Sequence, residues 1–83
     1  MINTITEIQN LFSKIEAAYA EGDIEAAERL DWEFTGAKEA AWDNLETFDV
    51  GDEGYPEAAK LYGYFVATEE RINDLFDKYN DLR

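Results

Sequence analysis

Apolar side chains recur at alternating spacings of three and four residues along most of the chain, and this periodicity restricts the fold more than any other feature. The first series is Ile5, Ile8, Phe12, Ile15 and Tyr19. The second is Ala27, Leu30, Phe34, Ala37, Ala41, Asn44 and Phe48. The third is Leu61, Phe65, Thr68, Ile72, Leu75, Tyr79 and Leu82. Because such spacing gathers side chains on one face of an α-helix, the sequence predicts three amphipathic helices.

The residues that begin and end helices place these three at about 4–20, 23–48 and 56–82. Asn3 or Thr4 is a suitable N-cap for the first helix, and Asp23 is one for the second. Gly22 is expected to close the first helix in the left-handed conformation. Pro56 suits the first position of the last helix, where its missing N–H is harmless.

Glycine also interrupts the second helix and the segment that follows it. Gly36 lies inside the periodic pattern, and we predict one helix that continues through it, with either a bend near 35–36 or the close approach of a neighbouring backbone as the reason for the glycine. Residues 49–55 contain two glycines and no helical period, and they form the one clear predicted loop.

Three helices with short connections favour an all-α fold, an antiparallel three-helix bundle whose second and third helices are long. Residues 1–83 form a single domain, since the chain has no room for a second core. A core of this size supplies only about 3–5 kcal/mol of stability. Association of two copies through the second or third apolar series is therefore expected as a secondary possibility.

The charge balance and the missing residue types exclude several kinds of function. Twenty acidic against seven basic residues give a net charge of −13, which is unsuited to binding nucleic acid or an anionic membrane directly. The chain has no Cys and no His, which excludes disulfides, thiolate catalysis and imidazole chemistry. No signal peptide or membrane span is recognisable, so we expect a soluble, cytoplasmic protein.

The carboxylates do not form a recognisable catalytic or metal-binding pattern. Asp49, Asp52 and Glu53 cluster in the loop, but their spacing does not match a calcium-binding loop. Nothing in the sequence places two acids in one apolar cleft, as a hydrolase would need. We therefore expect no enzymatic activity, no metal and no cofactor.

The middle helix carries most of the negative charge. Residues 23–49 hold nine acids against Arg29 and Lys38. Over about 40 Å of helix this is one carboxylate per roughly 4.5 Å, against one phosphate per ~3.4 Å along a DNA strand. The heptad of the second apolar series puts Glu25, Trp32, Glu39 and Glu46 on the outermost stripe. The candidate partner-binding residues are Glu25, Glu28, Asp31, Trp32, Glu39, Asp43 and Glu46.

The two tryptophans have different expected roles. Trp42 flanks the apolar series and is expected to cover the edge of the core. Trp32 points away from the series, and an exposed Trp is costly unless a partner covers it. Tyr55, Tyr62 and Tyr64 either extend such a contact surface or lie at the edge of the bundle.

In size, acidity and helical pattern, the chain resembles small phage-encoded inhibitors that mimic DNA and block restriction or CRISPR effectors. This resemblance and the acidic middle helix imply a non-enzymatic inhibitor that binds a basic, nucleic-acid-binding protein by imitating phosphate charge. The alternative is a structural protein that associates with itself or with another helical partner, its acids serving only solubility.

Overall fold

A computed structural model describes residues 4–81, and the side chains of residues 4–79. It contains three α-helices, and every helix contacts the other two. They are α1 (Ile5–Ala20), α2 (Ile24–Glu46) and α3 (Tyr55–Asp81). The predicted all-α fold with long second and third helices is confirmed.

Both predicted capping residues that lie within the described chain form their caps. The Thr4 hydroxyl accepts a hydrogen bond from the Glu7 N–H at 3.2 Å, and Asp23 Oδ1 accepts one from the Ala26 N–H at 3.1 Å. Between them Gly22 takes a φ of 78°, the left-handed conformation expected of it. A turn of three residues, 21–23, is therefore enough to reverse the chain.

The order of the contacts along the helices shows their relative directions. Between α2 and α3, Trp42 packs on Tyr62 and Lys38 pairs with Glu69, so residue numbers rise along one helix as they fall along the other. Between α1 and α3, Gln9 pairs with Tyr64 and Tyr19 stacks on Tyr79, so the numbers rise together. The helices run up, down and up.

The core is built mostly from the predicted apolar series, joined by Leu11, Ala18 and Ala58. Its largest fully buried side chains are Phe34, Phe65, Ile8 and Ile15. Phe34 and Phe65 pack edge-to-face, with ring centroids 5.4 Å apart. The apolar series of α2 and α3 thus pack against each other within one chain. Leu82 lies outside the described residues, as does Asn3.

Two predictions for α2 are wrong. The helix ends at Glu46 rather than at residue 48, and Asn44 is exposed although it belongs to the predicted series. The Thr47 hydroxyl donates to the Asn44 carbonyl at 2.6 Å, and the Phe48 N–H donates to the Leu45 carbonyl. These bonds tighten and close the last turn. The chain then turns Phe48 toward Gly54.

At Gly36 the single continuous helix is confirmed, but the close approach of a neighbouring backbone is not found. A Cβ built on Gly36 would meet no atom within 4 Å. Helix α3 begins at Tyr55, one residue before the predicted start at Pro56. Pro56 still lies in the first turn of the helix.

Candidate protein-binding face

Six of the seven candidate residues lie together on the side of α2 that points away from the core. We call this set the outer face of α2, and it consists of Glu25, Glu28, Trp32, Glu39, Asp43 and Glu46. All six side chains are exposed. At about 100° per residue they fall within a sector of about 60°, opposite the buried Ala27, Phe34 and Ala41.

The acids of the outer face have no hydrogen bond or ion pair with any other described side chain. Lys38 Nζ to Glu69 Oε2, at 2.7 Å, is the only ion pair in the described part of the chain. Arg29, the other cation of α2, is exposed at the border of the outer face. Because α2 is shorter than the predicted helix, it carries seven acids over about 35 Å, which is one acid per about 5 Å. Its negative potential is therefore directed into solvent.

Trp32 lies in the middle of the outer face and is 79% exposed. One turn further along the helix is Gly36, which has no side chain to cover the indole. Burying a Trp side chain is strongly favourable, so an uncovered one among carboxylates contributes little to this fold. Trp32 is thus the largest apolar group available to a partner on this face.

Asp31 lies apart from the other six candidates. Its side chain is half-buried on the side of α2 that packs against α3. Burial raises the pKa of the Asp31 carboxyl, and the nearby Glu69 carboxylate raises this pKa further. An acid in this position serves poorly as a phosphate imitation, because it is partly withdrawn from the surface.

Lys38 is the group that offsets this accumulation of acids between α2 and α3. The hydrogen bond to Glu69 raises the pKa of the Lys38 ammonium, although its partial desolvation acts in the opposite direction. Asp31, Lys38 and Glu69 therefore form a charged cluster that joins the two helices and is distinct from the outer face.

A groove opens beside the outer face, between α2 and α3. We call it the α2–α3 groove; it has a volume of about 270 Å³ and is lined by Lys38, Glu39, Trp42, Asp43 and Tyr62. The sequence predicts that Trp42 covers the edge of the core; in the structure it is 44% exposed and packs on Tyr62, with the two ring centroids 5.0 Å apart. The composition of the lining was not evident from the sequence, since it depends on the register of α3 against α2.

Two of the other predicted residues, Tyr64 and Asp52, form hydrogen bonds within the chain. The Tyr64 hydroxyl accepts a hydrogen bond from Gln9 Nε2 at 2.9 Å, on the side of α3 that faces α1. In the loop, Asp52 Oδ2 accepts a hydrogen bond from the Asp49 N–H at 2.8 Å. Among the described residues, no group of three or more Asp or Glu side chains is arranged to hold a metal ion.

Comparison with protein-family models, curated proteins and solved structures finds no match to this chain. No helix within residues 4–81 combines the length and the hydropathy needed to cross a membrane.

Proposed function

We propose that this protein is a non-enzymatic inhibitor or modulator that binds a basic, nucleic-acid-binding protein through the outer face of α2. The observation that carries the proposal is Trp32, an exposed indole on a helix face whose five acids form no ion pair within the described chain. The acids imitate the phosphates of a nucleic acid and attract the basic surface. The indole supplies the apolar anchor that such an interface needs.

The helical context of Trp32 supports the same proposal. A glycine inside a helix costs about 1 kcal/mol relative to alanine, and Gly36 has no neighbour in this structure that would require it. The costly exposed indole and the costly glycine lie one turn apart. Both are accounted for if a partner covers Trp32 and approaches the helix backbone at Gly36.

The net charge of −13 favours a basic partner over a second copy of this chain. Two copies that met through their outer faces would bring like charges together, which costs several kcal/mol. The phage-type inhibitor of restriction or CRISPR effectors is the class whose targets have the required basic channels, and it is the class we propose. The action is expected in the cytoplasm, where those effectors work.

The test is affinity capture from host lysate with the tagged protein at low salt, followed by challenge with duplex DNA. We expect a nucleic-acid-binding protein to be retained and then displaced by DNA. A variant with the five outer-face acids changed to their amides (Glu25, Glu28, Glu39, Asp43 and Glu46) and a separate Trp32→Ala variant should each lose this protein.

The matched control changes five exposed acids elsewhere to amides: Glu16, Glu21, Glu53, Glu70 and Asp77. It removes the same number of charges and should retain the target. If both variants lose the captured protein equally, binding depends only on the total charge of the chain and not on the outer face. Retention by the outer-face variant, with its helical circular dichroism intact, would refute the proposal.

A further inference from the structure

The α2–α3 groove presents an aromatic surface that the chain itself only half covers. The Trp42 ring packs against the Tyr62 ring with an angle of 49° between the ring planes, and Trp42 is 44% exposed. At about 270 Å³ the groove is smaller than the ~300–1,000 Å³ typical of sites for drug-sized molecules. Its size suits a single side chain of a partner protein.

Two aromatic rings elsewhere in the molecule, those of the buried Phe12 and the half-buried Tyr79, are contacted by the chain's own cations. The Arg71 guanidinium lies 4.3 Å from the centroid of the Phe12 ring, and Lys78 Nζ lies 5.4 Å from that of Tyr79. Both contacts involve α3 on its side toward α1. Within residues 4–81, no cation covers the rings of Trp42 or Tyr62 in this way.

The charges around the groove favour a cation from outside. Glu39 and Asp43 line it, are exposed, and form no ion pair with a described residue. Lys38, the one cation of the lining, is held by Glu69 at 2.7 Å. The groove therefore combines a half-exposed indole with two carboxylates that form no ion pair, although Glu39 is attracted by Lys38 at longer range.

We infer that the α2–α3 groove receives an arginine side chain of the basic partner. A planar guanidinium can stack on the indole while its N–H groups donate to the Glu39 and Asp43 carboxylates. A lysine ammonium is compact and more strongly hydrated, so it gains less from the aromatic surface. The inference rests on the proposed function, to which it adds the side chain recognised beside the outer face.

The direct test is a titration of the isolated 83-residue chain with N-acetyl-argininamide, followed by ¹H–¹⁵N NMR. The two indole N–H signals report on Trp42 and, as an internal reference, on Trp32. We expect saturable shifts at Trp42 and at the amides of Glu39 and Asp43, with smaller shifts at Trp32. N-acetyl-lysinamide, which carries the same charge, should bind several-fold more weakly.

Paired variants separate specific recognition from general attraction. Glu39→Gln with Asp43→Asn should weaken argininamide binding about tenfold, whereas Glu25→Gln with Glu28→Gln, the same change of charge about 20 Å away along α2, should have little effect. Equal binding of the two amino-acid amides, equal effects of the two variant pairs, or equal shifts of the two indoles would each overturn the inference. A Trp42 signal that moves with protein concentration alone would assign the groove to a second copy instead.

Failure of this inference is distinguishable from failure of the proposed function. Trp32→Ala should abolish capture of the target yet leave argininamide binding unchanged, because Trp32 does not line the groove. If the basic target is captured normally but argininamide binds no better than lysinamide, only the inference about the groove is refuted. If argininamide binds selectively but no basic protein is captured, the proposed function is refuted. The assignment of the arginine to a basic partner is then refuted as well.

Discussion

At Gly36 the proposed function is expected to cost stability, because a glycine that lets a partner approach the helix backbone also weakens the helix. Gly36 lies in the interior of α2 and a Cβ there would meet no atom within 4 Å. Gly36→Ala should raise the free energy of unfolding by about 1 kcal/mol, since alanine loses less backbone entropy in a helix. For a chain of this size the melting temperature should increase by about 4–8 °C.

Two other glycines serve as controls for that substitution. Gly63 is also helical with open space around it, so Gly63→Ala should stabilise to a similar extent. Gly22 has a φ of 78°, so Gly22→Ala should destabilise. Thermal melts by circular dichroism compare all three. A lower melting temperature for Gly36→Ala would show that a close contact exists at this position.

Asp31 gives a prediction about pH. Burial and Glu69 raise the pKa of its carboxyl in the folded state, so the ionised form is disfavoured by folding. This penalty is fully present above the folded-state pKa and vanishes below the unfolded value of 3.8. Asp31→Asn should therefore increase stability at pH 7, and the increase should decline as the pH falls toward 3.8. Urea unfolding at several pH values measures it; a gain independent of pH would assign the effect to something other than ionisation.

Among the elements, α1 was the one best predicted from sequence. Thr4, Gly22 and Asp23 act through local backbone geometry, which is why their roles could be recognised without a tertiary structure. The end of α2 could not be recognised, because Phe48 continues the apolar spacing although in the structure it lies outside the helix and packs against Gly54. Likewise the α2–α3 groove depends on which residues of α3 face Trp42, and helical periodicity does not fix that register.

The junction between α1 and α2 provides an element-scale prediction. Asp23 Oδ1 accepts a hydrogen bond from the Ala26 N–H, and its charge lies at the positive end of the α2 dipole. Asp23→Ala should lower the free energy of unfolding by about 1 kcal/mol, and Asp23→Ser should restore most of it. Denaturant titration followed by circular dichroism is the measurement. Equal stability of Asp23→Ala and the unmodified chain would mean that the turn at Gly22 alone determines where α2 begins.

At the scale of the whole molecule, uncompensated charge is the dominant feature. The chain has a net charge of −13 and one ion pair among its described residues. Added salt screens repulsion between exposed charges, so the melting temperature at pH 7 should rise as NaCl increases from about 0.05 to 0.5 M. Chloride is preferred to sulfate for this test, because sulfate also strengthens hydrophobic burial. A melting temperature insensitive to NaCl would show that repulsion between the acids costs the fold little.

The separation between the two sides of α2 also has an evolutionary consequence. Phe34 and its buried neighbours maintain the bundle, while the outer-face side chains make no hydrogen bond or ion pair with other described residues. Exposed substitutions of this kind usually change stability by less than about 0.5 kcal/mol. Selection can thus alter what the outer face recognises while the core stays unchanged, and two descendants of this chain could diverge in their targets long before they diverged in fold.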